Sequence, residues 1–212
     1  MGGDIDWSAT GDMLAGIGSI LGALAIIGAA YFGSQTFKAW RQQKLAERKA
    51  LTAERILTAT HKVRRHLKRV RDPIMLGSER DQALETLREN ADFKKMAAPE
   101  ADLVVTTQAY YNRINAARDV RDELEDCYPM AAALFGSDVE RALERLHHMF
   151  WRVKVYVDSN RRGSNSKEHQ GKIDAAIYEG YPSAEANEFD VEIAQHVTLI
   201  ESVCLPALRL EA

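Results

Sequence analysis

The sequence predicts an all-α protein: one N-terminal transmembrane helix continuing into a stalk helix, then a helical-bundle cytoplasmic domain. Three observations carry that prediction. Met13 to Phe37 runs 25 residues without a charged side chain. Ser34 to Asp72 contains neither Gly nor Pro and is dominated by good helix formers. Beyond Pro73 apolar residues recur at steps of three and four, and no two segments alternate as a pair of strands would. The boundaries follow: residues 1–12 external, 13–37 in the membrane, 38–72 a basic stalk, and 73–212 the cytoplasmic domain.

The first element has the length a bilayer asks for. A hydrocarbon core about 30 Å thick takes about 20 helical residues at 1.5 Å each, and Met13 to Phe32 supplies them. In hydrocarbon a helix satisfies its own backbone groups. A cleavable leader would need a basic start and a shorter apolar run; here Asp4, Asp6 and Asp12 make the start acidic. A core helix on a domain surface would keep one polar face, and this stretch has none. Lys/Arg asymmetry sets the direction. Lys38, Arg41, Lys44, Arg48 and Lys49 follow the span and no basic residue precedes it, which places the N-terminus outside and the bulk of the chain in the cytoplasm. In a cell without organelles the membrane is the inner membrane. Tyr31, Phe37 and Trp40 suit the aromatic belt on the cytoplasmic side, with the five cations facing lipid headgroups.

Small residues recur through the span: Ala15, Gly18, Gly22, Ala25, Ala29 and Gly33, with Gly18 and Gly22 forming a GxxxG. Such a stripe lets two helix backbones approach and associate by close packing, although Gly and Ala are common in membrane helices generally. A homo-oligomer is the expectation that the stripe raises.

In the stalk, Ala53, Ile56, Thr60, Val63, Leu67, Val70 and Ile74 form an a/d seam, either for a partner helix or for the chain's own domain. Asp72-Pro73 ends the run, because the residue before proline is pushed out of the helical region. Ser78 is a candidate cap for "ERDQALETLREN". Pro99 suits a first turn and opens a long helix with Leu103, Thr107, Tyr110, Ile114, Ala117 and Leu124 on one face. Pro129 starts a short helix that Gly136 ends. Ser137 and Glu140 have capping-box spacing ahead of Val139, Leu143, Leu146, Phe150, Val153 and Val157. Within that segment "WRVKVYVD" alternates like a strand, but the helical register is longer and has no strand partner to compete with it. A polar loop at 160–167 precedes a short segment near Lys172 to Tyr178. The last helix carries Phe189, Ile193, Val197, Ile200 and Cys204 and is closed by Pro206.

The net charge of −3 conceals a segregation: −3 over residues 1–37, +10 over 38–71 and −10 over 72–212. The densest part of the basic block is "HKVRRHLKRVR", with Lys62, Arg65 and Arg69 on one side of an apolar stripe and Arg64, Lys68 and Arg71 on the other. If the helix is straight, Lys62 lies about 36 Å past the membrane edge, beyond the roughly 8–10 Å over which surface potential acts. No aromatic residue interleaves with the charges for base stacking, which disfavours nucleic acid. The run's favoured partners are the chain's own acidic segments, "DVRDELED" (119–126) and "EANEFDVE" (185–192), then an acidic protein surface, with nucleic acid the least favoured of the three.

Catalytic chemistry finds little footing. Glu144 and His147 form one ExxH, whereas a carboxylate-bridged di-metal bundle needs two such units and two further glutamates. His147 and His148 point about 100° apart on a helix. No nucleophile elbow or phosphate-cradling glycine loop is present, and Cys127 and Cys204 read as reduced core residues. Neither a metal nor a cofactor is expected, and no residue is singled out as catalytic.

The segments "AERKALTAERILTAT", "AYYNRINAARD", "MAAALFG", "EGYPSA" and "CLPALRLE" resemble a group of uncharacterised bacterial proteins with one N-terminal span and a helical cytoplasmic body. The resemblance covers nearly the whole chain and implies that topology without an activity. The expectation is a membrane-tethered adaptor or scaffold working through protein–protein contact. The alternative is a membrane-perturbing or signalling effector whose glycine-rich span responds to the cytoplasmic domain.

Overall fold

The Gly- and Pro-free run that begins at Ser34 is helical through Val70, and the helix reaches back to Trp7: α1 is Trp7–Val70. The computed structural model describes residues 7–163, 166–182 and 186–209; the side chains of 7–18, 20 and 23 are not described. Among the described residues every regular element is a helix. After α1 come α2 (Gly77–Leu87), a 3-10 turn at Phe93–Lys95, α3 (Ala98–Ala116), α4 (Arg118–Glu125), α5 (Tyr128–Phe135), α6 (Ser137–Arg162), α7 (Lys167–Ile177) and α8 (Glu188–Leu208).

Two compact units divide between Arg48 and Lys49, inside the segment read as the stalk. In the first unit, the described apolar side chains Leu21, Leu24, Ile26, Ile27, Tyr31, Phe32 and Phe37 are 57% to 72% exposed. A Cβ added at Gly22, Gly28 or Gly33 would meet nothing within 4 Å. Lys44 pairs with Glu47 at 2.6 Å, three residues along the helix.

The second unit is built around the C-terminal part of α1. Ala53, Ile56, Thr60, Val63, Leu67 and Val70 are fully buried. The seam therefore docks on the chain's own domain, one of the two arrangements the sequence allows. Ile74 departs from it: the helix has ended at Val70, and the Ile74 side chain is 69% exposed. Against this helix pack Leu143, Leu146, Phe150, Val153 and Val157 of α6, together with Phe189, Ile193, Val197, Ile200 and Cys204 of α8. The stretch "WRVKVYVD" lies within α6, so the helical register prevails over the alternating one. A smaller cluster of Ala83, Leu87, Val104, Val105 and Ala109 joins α2 to α3.

Four local expectations need correction. Ser78 does not cap α2; the Glu79 carboxylate does, accepting the Leu76 N–H at 2.9 Å. Ser137 is the first residue of α6, preceded by Gly136 at φ +93°, and no side chain caps that end. The long helix expected after Pro99 breaks at Ala117 (φ −90°, ψ 6°) into α3 and α4. Pro206 lies within the last turn of α8 and does not close it.

Of the described helices, α8 is long and apolar enough to cross a membrane by length and composition. Its buried face belongs to the core, however, and it carries Glu188, Asp190, Glu192 and Glu201. Asp190 is bound to Arg71 and Glu192 to Arg152. Glu201 lies near the middle of the helix, where a charged residue in a bilayer would cost about 2.5–3.5 kcal/mol, and the core contacts of α8 read as those of a core helix. The span read at Met13 to Phe37 lies partly outside the described residues, since the side chains of 13–18, 20 and 23 are among those not described. What is established there is helix, and nothing about a bilayer.

Candidate functional site

The polar chemistry of the second unit gathers where α1 ends. A helix leaves its last four carbonyls without intrahelical donors; here the backbone N–H groups of Arg71 and Asp72 reach the carbonyls of Leu67 and Arg69, and an arginine serves Val70 and the turn that follows. Arg113 of α3, almost fully buried, donates to the carbonyls of Val70 (3.4 Å), Asp72 (2.7 Å) and Ile74 (2.7 Å). It also holds Glu79 through Nε at 3.0 Å and a terminal nitrogen at 2.7 Å. That guanidinium draws the Glu79 carboxyl down to about 2 against the opposing effect of burial.

Arg71 does the same for α7. It is 1% exposed and donates to the carbonyls of Ala176 (2.8 Å), Ala175 (2.9 Å) and Tyr178 (3.4 Å). Its guanidinium bonds the Asp190 carboxylate and lies 4.6 Å over the Phe189 ring. Cations at a helix C-terminus are favoured by the helix dipole. Asn187 completes the junction. Its amide nitrogen donates to the carbonyls of Ala175 (2.8 Å), Tyr178 (3.2 Å) and Tyr181 (2.7 Å), while its oxygen accepts the N–H groups of Phe189 and Asp190 to cap α8.

The basic run therefore divides. Lys62 pairs with Glu123 at 2.8 Å, Lys68 with Glu179 at 3.4 Å, Arg69 with Glu79 at 3.2 Å, and Arg71 with Asp190. Glu123 and Asp190 come from the two acidic segments that the sequence offered as counter-charge; Glu79 and Glu179 do not. Arg71 is no surface cation at all. Arg64 and Arg65 are exposed and have no acidic partner among the described residues. Both line an open cleft of about 670 Å³, with Lys68 and His61 beside them and Asp190, Ile193 and Ala194 of α8 opposite.

Other candidates are placed apart. Burial lowers His147 below its usual value, and His196 likewise. Among the described residues no group of three or more His, Cys, Asp and Glu comes together as a metal site would require. Cys127 and Cys204 are free and buried; burial pushes both thiols up, Cys204 to about 11. In the first unit, Gly22, Ala25 and Ala29 of the small-residue stripe are exposed, and Gly18 lies outside the described side chains. Of the residues read as meeting the membrane surface, Tyr31, Phe37, Lys38, Trp40, Arg41, Lys44 and Arg48 are exposed. Phe37 and Trp40 stack with ring centres 5.7 Å apart. Lys49, which opens the second unit, is half-buried.

The sequence reading missed Arg113, Glu79 and Asn187. Asn187 had a legible signal, an Asn directly ahead of the acidic first turn "EFD". Arg113 had none, because its partners lie 34 to 43 residues away. No protein-family model, curated protein or solved structure matches the chain.

Proposed function

We propose that this chain is a single-pass protein of the bacterial inner membrane, N-terminus outside, whose helical cytoplasmic domain serves as an adaptor or scaffold for a protein partner. The observation that carries the anchor is the uncharged stretch Met13 to Phe37, whose described apolar side chains are exposed on all sides of one helix and are followed at once by Lys38, Arg41, Lys44 and Arg48. In water such a surface is unfavourable by about 25 cal/mol for each Å² of apolar area; in hydrocarbon that cost disappears. The stacked Phe37–Trp40 pair among the cations suits an interfacial anchor. Gly18, Gly22, Ala25 and Ala29 supply a stripe on which two copies could pack. The adaptor role draws on a helical domain in which the buried Arg71, Arg113 and Asn187 serve helix ends and turns.

Paired fusions at Ala212 test the topology. A cytoplasm-dependent fluorescent reporter should be active there and a periplasm-dependent phosphatase inactive; the reverse result overturns the reading. Cross-linking in membranes tests self-association. Gly18→Leu with Gly22→Leu should abolish a dimer band that the unaltered chain gives, and an unchanged monomer signal in both removes the claim. Affinity purification of the full chain from detergent should retain a protein partner in stoichiometric amount.

A further inference from the structure

We propose that the cleft between the end of α1 and α8 is a binding site for a phosphate-bearing small molecule, gripped by the Arg64 and Arg65 guanidinium groups. The cleft's two carboxylates are already engaged: Asp190 holds Arg71 and also accepts the Gly180 N–H at 2.8 Å, and Glu179 holds Lys68. His61 at the rim is 3.5 Å from Glu201. What remains uncompensated is Arg64 and Arg65, both positive, both exposed, both facing the same concavity. The cleft is thus a net cationic hollow in a unit whose sequence from Lys49 onward carries an excess of acid over base.

A volume of about 670 Å³ falls within the range of small-molecule sites, about 300–1,000 Å³. Leu67, Ile193 and Ala194 give the wall an apolar strip for the uncharged part of a ligand. The frame is fixed from beneath, because Arg71 ties α1 to the end of α7 and the start of α8. Arginine is the suitable donor: its planar fork meets a phosphate with two parallel hydrogen bonds, where lysine offers a point charge. Two adjacent arginines left unpaired while four neighbouring cations find carboxylates suit a ligand that brings its own negative charge.

The test uses the full chain in neutral detergent, titrated with inorganic pyrophosphate at constant ionic strength. A parallel arm uses dihexanoylphosphatidylglycerol below its micelle concentration, to separate a soluble phosphate ligand from a lipid headgroup. Saturable binding of one pyrophosphate per chain is expected, weakened about 10- to 100-fold in Arg64→Gln/Arg65→Gln. Arg64→Lys/Arg65→Lys should fall between, since charge is kept and the fork is lost. Arg88→Gln, which removes an exposed arginine just past the end of α2, should bind like the unaltered chain. Tighter binding of the short lipid assigns the phosphate to a headgroup, and tighter binding of pyrophosphate assigns it to a soluble ligand. Saturable binding of neither probe overturns the proposal, as does equal affinity in the double glutamine variant. Both arginines are exposed and unpaired, so the variants should keep the far-ultraviolet dichroism of the parent. Should the double variant fail to fold, Arg64→Gln and Arg65→Gln singly carry the same comparison. The site belongs to the second unit alone, so its failure leaves the membrane reading intact.

Discussion

Glu79 sits between two arginines with its side chain 16% exposed, and its environment makes stability depend on pH. In the folded chain its carboxyl titrates near 2, against 4.5 when free. The group therefore contributes stability that is complete above about pH 4.5 and lost as the pH falls toward 2. The difference corresponds to about 3 kcal/mol. Denaturant midpoints measured between pH 2 and pH 6 should fall on the acid side, and the fall should be shallower in Glu79→Gln. At neutral pH that variant should lose about 3–5 kcal/mol, because Arg113 is left buried without its counter-charge. A second residue works the other way. Thr60 is fully buried and its hydroxyl has no hydrogen-bond partner among the described residues. Thr60→Val removes that unsatisfied group at nearly constant shape and should raise stability by about 1 kcal/mol, read as a higher denaturation midpoint. Neither residue could be picked from the sequence. A glutamate in a helix's first turn and a threonine on an apolar seam are both ordinary until their neighbours are known.

At the scale of elements, two glycines should respond oppositely to the same substitution. Gly136 joins α5 to α6 at φ +93° and ψ 168°, a conformation nearly closed to residues with a Cβ. A Cβ there would meet nothing within 4 Å, so the penalty is backbone strain alone. Gly136→Ala should cost about 1–3 kcal/mol in chemical denaturation. Gly171 lies inside α7, where a Cβ also has open space and no positive φ is required. Gly171→Ala should add about 0.5–1 kcal/mol, chiefly by restricting the unfolded chain. The sequence made Gly136 legible as a helix end, and Pro99 as a helix start, because these residues act through their own backbone. The break at Ala117 was not legible. No Gly or Pro marks it, and Ala117 at the bend and Leu124 beyond it are both buried in the main core. Ser78 and Ser137 show the same limit: their spacing matched a cap, but Glu79 and Gly136 occupy the positions where the turns form.

For the molecule as a whole, the two thiols report on opening. Cys127 and Cys204 are buried in one core, and burial keeps each protonated at neutral pH. A thiol reagent should label neither in the native chain and both in denaturant, at a rate that follows the unfolding free energy; rapid native labelling of either would contradict this core. The basic block and acidic remainder were legible as opposites. Which charges met was not, since Lys62, Lys68, Arg69 and Arg71 find carboxylates 10 to 119 residues away. Arg64 and Arg65 are the pair of that run with no carboxylate among the described residues.

Arg71 closes the central helix onto residues that are made long after it. Its partners lie 104 to 119 positions downstream. A ribosome adding about 5–20 residues each second needs about 6–24 s to reach them. For the whole of that interval the seam from Ala53 to Val70 lacks α8, which covers part of it in the folded chain. Until then Arg71 has none of the partners that hold it in the folded chain, and Phe189 to Cys204 cannot yet close over the seam.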